Sequence, residues 1–112
     1  GNVSRRRSLR AWKQIQKRFE SEAQNNWKLA ILEADRILNE ILKMSGYLGD
    51  SLNEKLEIIT PVQLANIEDV KLAHRIKNKI DKDPTDEITR QETEEAIAIY
   101  KEAFKQLNLI NE

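Results

Sequence analysis

The sequence contains no cysteine, only two prolines and three glycines, and few aromatic residues, which make up 5% of its 112 positions. Without cysteine there can be no disulfide and no thiolate-held zinc or iron–sulfur centre, and a reducing compartment is the natural setting. So few chain breakers disfavour a loop-rich or all-β design, in which glycine and proline mark every turn. No apolar run approaches the roughly 18 residues of a membrane span. The sequence also lacks a glycine-rich phosphate loop and a serine nucleophile in a strained turn, and it points to no small-molecule substrate. Met44 is the only methionine. The chain therefore reads as a piece of a longer protein.

What is present is charge and helix-forming aliphatic residues. Hydrophobic residues make up 39% and charged residues 34%, enough for one domain with a modest core. The formal charge is zero but unevenly placed. Residues 1–20 carry seven basic groups against Glu20 alone, a net +6, and the remainder carries 12 basic and 18 acidic groups, a net −6. Arg5, Arg6, Arg7 and Arg10 thus form a basic arm on an acidic body. Such an arm suits phosphate, either RNA or an anionic membrane surface, or it is simply a solvated helix start.

Apolar residues recur at spacings of three and four, and no segment of strand length alternates. Residues 1–8 are expected to be a flexible basic terminus. Leu9, Trp12, Ile15, Phe19 and Ala23 share one helical face over 9–25. The stripe resumes at Trp27, Ala30, Ile31, Ala34, Ile37, Leu38, Ile41 and Leu42, the strongest in the chain. Asn25-Asn26 is a weak interruption, so one long bent helix and two helices are both open. Gly46 suits the end of this helix. Ser51-Leu52-Asn53-Glu54 and Thr89-Arg90-Gln91-Glu92 read as capping boxes. Pro61 suits a first helical turn, and Asn66 suits the cap of a helix burying Ile67, Val70, Ala73, Ile76 and Ile80. The last helix buries Ala96, Ile97, Tyr100, Ala103, Phe104 and Leu107. The expectation over 9–110 is a single all-α domain, an antiparallel bundle of four to five helices with a long N-terminal helix.

Trp27-Lys28-Leu29-Ala30-Ile31-Leu32-Glu33-Ala34-Asp35-Arg36-Ile37-Leu38, Gly46-Tyr47-Leu48-Gly49 and Ala73-His74-Arg75-Ile76-Lys77-Asn78-Lys79-Ile80 together resemble a bacterial HEPN-type domain. This is the helical family named for higher eukaryotes, prokaryotes and nucleotide binding. The similarity covers residues 26–110. Many members are metal-independent ribonucleases that dimerise to bring an arginine and a histidine from each chain to one cleft. The resemblance places Lys77 at the arginine, Asn78 at the polar residue after it, and Lys82 at the histidine. Lysine lacks the planar two-pronged grip on phosphate, and its ordinary pKa of about 10.4 makes it a poor base at neutral pH. The motif is degenerate, so no catalytic residue is assigned. His74, the only histidine, can share a helical face with Lys77 and Asn78 and is more simply a packing or hydrogen-bonding residue.

The resemblance thus implies a non-catalytic interaction or dimerisation module, a homodimer or a partner of another protein. The expected location is the cytoplasm, or the cytosolic side of a membrane-anchored protein. A second reading is an RNA- or nucleotide-binding protein with residual nuclease function, using Arg75, Lys77, Asn78, Lys79 and Lys82. A third is calcium: Asp81, Asp83, Thr85 and Glu92 have the ligand spacing of an EF-hand loop. Against it, Asp86 stands where the sharp turn needs glycine, and Glu92 also belongs to the Thr89 capping box.

Overall fold

The computed structural model describes the backbone of residues 2–111 and the side chains of residues 5–111. The chain is all-α, with five helices among the described residues: α1 (Asn2–Glu20), α2 (Gln24–Met44), α3 (Leu52–Ile58), α4 (Ile67–Lys82) and α5 (Arg90–Gln106). None is long and apolar enough to cross a membrane.

The two possibilities for the first 44 residues resolve into two helices. One straight helix over 2–44 would measure about 65 Å at 1.5 Å per residue, whereas the longest dimension of the fold is 35 Å. The chain breaks at 21–23, ahead of Asn25-Asn26, and α1 folds back on α2. The break is held from both sides. Ser21 Oγ accepts from the Ala23 amide (3.2 Å) and from Asn26 Nδ2 (2.9 Å), and Trp27 Nε1 donates to the Ser21 carbonyl (2.6 Å). Asn26, one of the two residues expected to weaken the helix, therefore ties down the turn before it. A second departure is that α1 begins at Asn2, where flexibility was expected through Ser8. Ser8, Trp12 and Ile15 are buried against the bundle, which gives the first turns a surface to form on.

Helix α2 is central, touching α1, α4 and α5. Its Ala30, Ile31, Ala34, Ile37, Leu38, Ile41 and Leu42 are all buried, as the periodicity predicts. The core meets around Trp12, whose ring lies edge-on to Phe104 with centroids 5.3 Å apart, and Tyr100 stacks next to Phe104 at 6.4 Å. Such pairs add about 0.5–1.5 kcal/mol each beyond their burial.

The ends of the helices show which local signals were sufficient. After α2, Gly46 sits at φ +85°, with Tyr47 N–H on the Leu42 carbonyl and Gly46 N–H on that of Lys43. After α5, Asn108 (φ 61°) repeats the motif, with Leu109 N–H on the Phe104 carbonyl. Both are Schellman ends. The Thr89 capping box is complete. The Ser51 box is half made: Ser51 Oγ accepts from Glu54 N–H, but Glu54 Oε2 takes the Asp50 amide at 2.9 Å. Two expectations are corrected. Pro61 starts no helix, because residues 61–63 form a turn in which Gln63 Oε1 accepts the Thr60 amide and buried Leu64 anchors the connection. Asn66 makes no side-chain cap: its Nδ2 donates across to the Ile99 carbonyl of α5 (3.2 Å), and its Oδ1, the atom a cap would use, is buried without a partner among the described residues.

Gly49 is the tightest backbone constraint. It sits at φ +130°, and a Cβ there would lie 2.7 Å from the Lys55 amide nitrogen and 2.9 Å from Lys55 Cγ. Its missing side chain lets the loop press onto α3, where buried Lys55 reaches Asn39 Oδ1 at 3.0 Å. Gly46 has nothing within 4 Å of its Cβ position. Gly49→Ala should therefore destabilise by about 2–3 kcal/mol, combining strain with a backbone clash, and Gly46→Ala by about 1 kcal/mol. Urea denaturation of both variants measures the difference, and equal costs would remove the steric explanation.

Candidate functional site

Asp35 interrupts the apolar face of α2. It is 3% exposed, a location a carboxylate tolerates only when its oxygens are bonded. Tyr100 of α5 donates its hydroxyl to Asp35 Oδ1 at 2.8 Å, and His74 of α4 places Nδ1 2.9 Å from the same oxygen. Lys77 Nζ lies 3.7 Å from Oδ2 and 3.0 Å from Asp81 Oδ2. Three helices thus converge on one carboxylate.

The spacing on α4 explains the gathering. Positions 74, 77, 78 and 81 follow the i, i+3, i+4, i+7 pattern and lie on one side of the helix. His74 is buried and hydrogen-bonded, the simpler of its two sequence readings. With Asp35 as acceptor, Nδ1 carries the proton, an assignment that follows from the network. Nε2 makes no hydrogen bond among the described residues.

Charge and burial act together on the phenol and the ammonium. Burial pushes Tyr100 well above the ordinary phenol value of 10.0, and the adjacent Asp35 charge and its hydrogen bond push the same way. Tyr100 therefore keeps its proton and stays a donor. For Lys77, burial pulls the pKa down, but the hydrogen bond to Asp81 and the charges of Asp35 and Asp81 more than offset it. The net result is raised, so Lys77 is a fixed cation.

Beside this network opens a cleft of about 730 Å³ between α2, the start of α3 and α4. Its walls include Glu33, Asp35, Asp50 and Asp81 against Arg36 and Lys77, with Asn39, Asn53 and Asn78 as neutral polar groups. Four carboxylates against two cations make it a poor receptor for phosphate.

The RNA-facing residues expected from sequence are divided by this geometry. Lys77 and Asn78 line the cleft. Arg75, Lys79 and Lys82 follow one another at i, i+4 and i+7 on a different, exposed side of α4. Lys77 and Lys82 leave the helix roughly 140° apart. The basic residues Arg5, Arg6, Arg7 and Arg10 are exposed on α1, and Arg6, Arg10, Lys13 and Lys17 fall on the side away from buried Trp12 and Ile15.

The residues of the calcium reading are not gathered into one cluster. No group of three or more His, Cys, Asp or Glu side chains among the described residues could hold a metal ion. Asp81 points to Lys77, and Glu92 Oε1 accepts the Thr89 amide at 3.1 Å. Asp83 and Thr85 are left on an exposed connection. That connection is pulled toward α2, where Lys28 Nζ donates to the Pro84 carbonyl (2.7 Å) and Gln24 accepts the Ile88 amide (3.1 Å).

No protein-family model, no curated protein and no solved structure matches this chain. Its chemistry rests on its own residues. Asp35 and Tyr100 were not singled out in the sequence, although a carboxylate sits in the middle of an apolar stripe. That position, four residues after Ile31 and three before Leu38, was the available signal.

The linkage has a definite sign. Tyr100 and Lys77 both bind their protons more tightly when folded, so the stability they contribute is complete below pH 10 and is lost as pH rises above it. Tyr100 alone should lower stability by about 1.4 kcal/mol per pH unit above its unfolded value of 10.0. Urea midpoints from pH 9 to 11.5 should fall steeply in the native chain and less steeply in Tyr100→Phe. Identical slopes would mean that neither burial nor Asp35 holds the proton on the phenol.

Proposed function

We propose that this chain is a non-catalytic, HEPN-like interaction module. The observation that carries the reading is the fate of the two positions that the resemblance assigns to ribonuclease chemistry. Lys77 is engaged by Asp35 and Asp81, and Lys82 stands exposed on another side of α4. A ribonuclease needs a base and a phosphate-steadying cation directed at the same ester. Here the cation is neutralised, the second lysine diverges from it, and the cleft between α2 and α4 carries excess negative charge.

An exposed apolar end supports the interaction half of the proposal. Tyr47, Leu48 and Ile58 line a groove of about 350 Å³ after α2 and α3. Leu48 is 74% exposed, Ile58 53%, and Val62 on the following turn 96%. Grouped apolar side chains of this kind mark association surfaces more often than solitary ones do.

The second reading is polyanion binding through α1. Its basis is the row Arg6, Arg10, Lys13 and Lys17, none within ion-pair distance of a carboxylate among the described residues. Such binding would weaken steeply with salt.

The test separates chemistry from binding. The native chain should leave a labelled single-stranded RNA intact over hours. Lys77→Arg with Lys82→His should also leave it intact, because the two side chains diverge. Cleavage restored by that pair would show that the positions converge on one substrate, and the non-catalytic reading would then concern two residues only.

A further inference from the structure

The cleft between α2, α3 and α4 keeps a net negative charge after its ion pairs are counted. Glu33 is held by Arg18 (2.7 Å) and Arg36 by Glu40 (3.3 Å), and neither Arg18 nor Glu40 lines the cleft. Lys77 offsets one of Asp35 and Asp81. With His74 neutral, one charge is left over between Asp35 and Asp81. Another is left on Asp50, which has no ion-pair partner among the described residues. Asp50 precedes α3 and Asp81 lies in the last turn of α4, so the two charges reach the cleft from different walls.

A second observation points into the same space. His74 is 7% exposed and lines the cleft. Its Nδ1 is fixed on Asp35, which leaves Nε2 with a lone pair and no hydrogen bond among the described residues. Nε2 is not one of the buried polar atoms that lack a partner, so it keeps accessible surface, and the cleft is the space its ring borders. A nearly buried acceptor beside unneutralised carboxylates suits a guest that brings N–H donors and positive charge. A metal ion does not answer, because these carboxylates and the imidazole do not gather into a metal-ligand group. We propose that this cleft binds a linear aliphatic polyamine of the spermidine class. One ammonium group pairs with Asp50, another donates to His74 Nε2 within the excess charge of Asp35, and the methylenes between them run over Leu32 and Leu52. The cleft volume of about 730 Å³ is within the range of small-molecule sites. Nucleic acid and anionic lipid are disfavoured by the sign of the charge. This site takes no part in the association surface at Leu48 and Ile58.

The probe is spermidine, titrated into the ¹⁵N-labelled chain in about 0.15 M salt, which screens diffuse attraction. His74 is the only histidine, so its imidazole nitrogens are identified directly in a long-range ¹H–¹⁵N spectrum. The Nε2 signal should move saturably. Asp50→Asn should weaken binding about fivefold, the loss of one ion pair. That position is exposed, and its hydrogen bond to Glu54 is made by the backbone amide, so the fold keeps it. Glu94→Gln, at an exposed position of α5, should leave the affinity unchanged. An Nε2 signal indifferent to spermidine would overturn the proposal, and so would an unchanged affinity in Asp50→Asn. Magnesium chloride at the same charge concentration should leave Nε2 in place. An equal response to it would reduce the site to an acidic surface and overturn the proposal. Response to a tri-arginine peptide but not to spermidine would also overturn it, assigning the cleft to a protein partner.

Discussion

The structure depends on one buried negative charge. Asp35 sits in the middle of the central helix at a position where an apolar residue would otherwise pack. Everything around it is arranged to accommodate it. Tyr100 brings a hydroxyl from α5, His74 an imidazole from α4, and Lys77 a countercharge from the next turn of the same helix. A buried carboxylate without these partners would be strongly destabilising. The network therefore specifies how α4 and α5 sit on α2, as well as stabilising them. A non-polar contact could hold the helices together but would tolerate a slip that hydrogen bonds do not.

The same charge shapes what the cleft can do. Lys77 stands where the resemblance places a phosphate-binding arginine, yet it answers to Asp35 on one side and Asp81 on the other. Its positive charge is spent on the fold. The cations with no ion-pair partner among the described residues lie elsewhere, on the outer side of α1 and on the flank of α4 that carries Arg75, Lys79 and Lys82. Any contact with a polyanion is therefore a surface matter, separated from the one cluster that looks like chemistry.

Much of the fold was legible in the sequence, because helix periodicity is a local signal. The stripe from Ala30 to Leu42, the Thr89 capping box and the glycine end at Gly46 were each readable from a few neighbouring residues. The departures come from competing partners, some a few residues away, as Gln63 is for Thr60, and some in distant parts of the chain. Asn66 makes no side-chain cap, and its side-chain nitrogen instead donates to the carbonyl of Ile99, 33 residues away. The acidic loop 81–92 matches a calcium pattern in spacing alone. Lys77, Thr89, Lys28 and Gln24 claim its carboxylates and backbone. The basic stretch 75–82 reads as one patch in a line of text and as two when wound into a helix. Asp35 was hidden because a single polar residue in an apolar stripe has no partner visible nearby. Tyr100 lies 65 positions on and His74 lies 39.

The central claim is that Asp35 and the side chains around it act as a unit. A double-mutant cycle measures this most directly, with urea unfolding of Asp35→Ala, His74→Ala and the pair together at pH 7. The network predicts a coupling energy of about 1.5 kcal/mol or more, because removing either member leaves the other buried without its partner. Costs that add to within about 0.3 kcal/mol would contradict it, and would reduce the meeting of α2 and α4 to ordinary apolar packing.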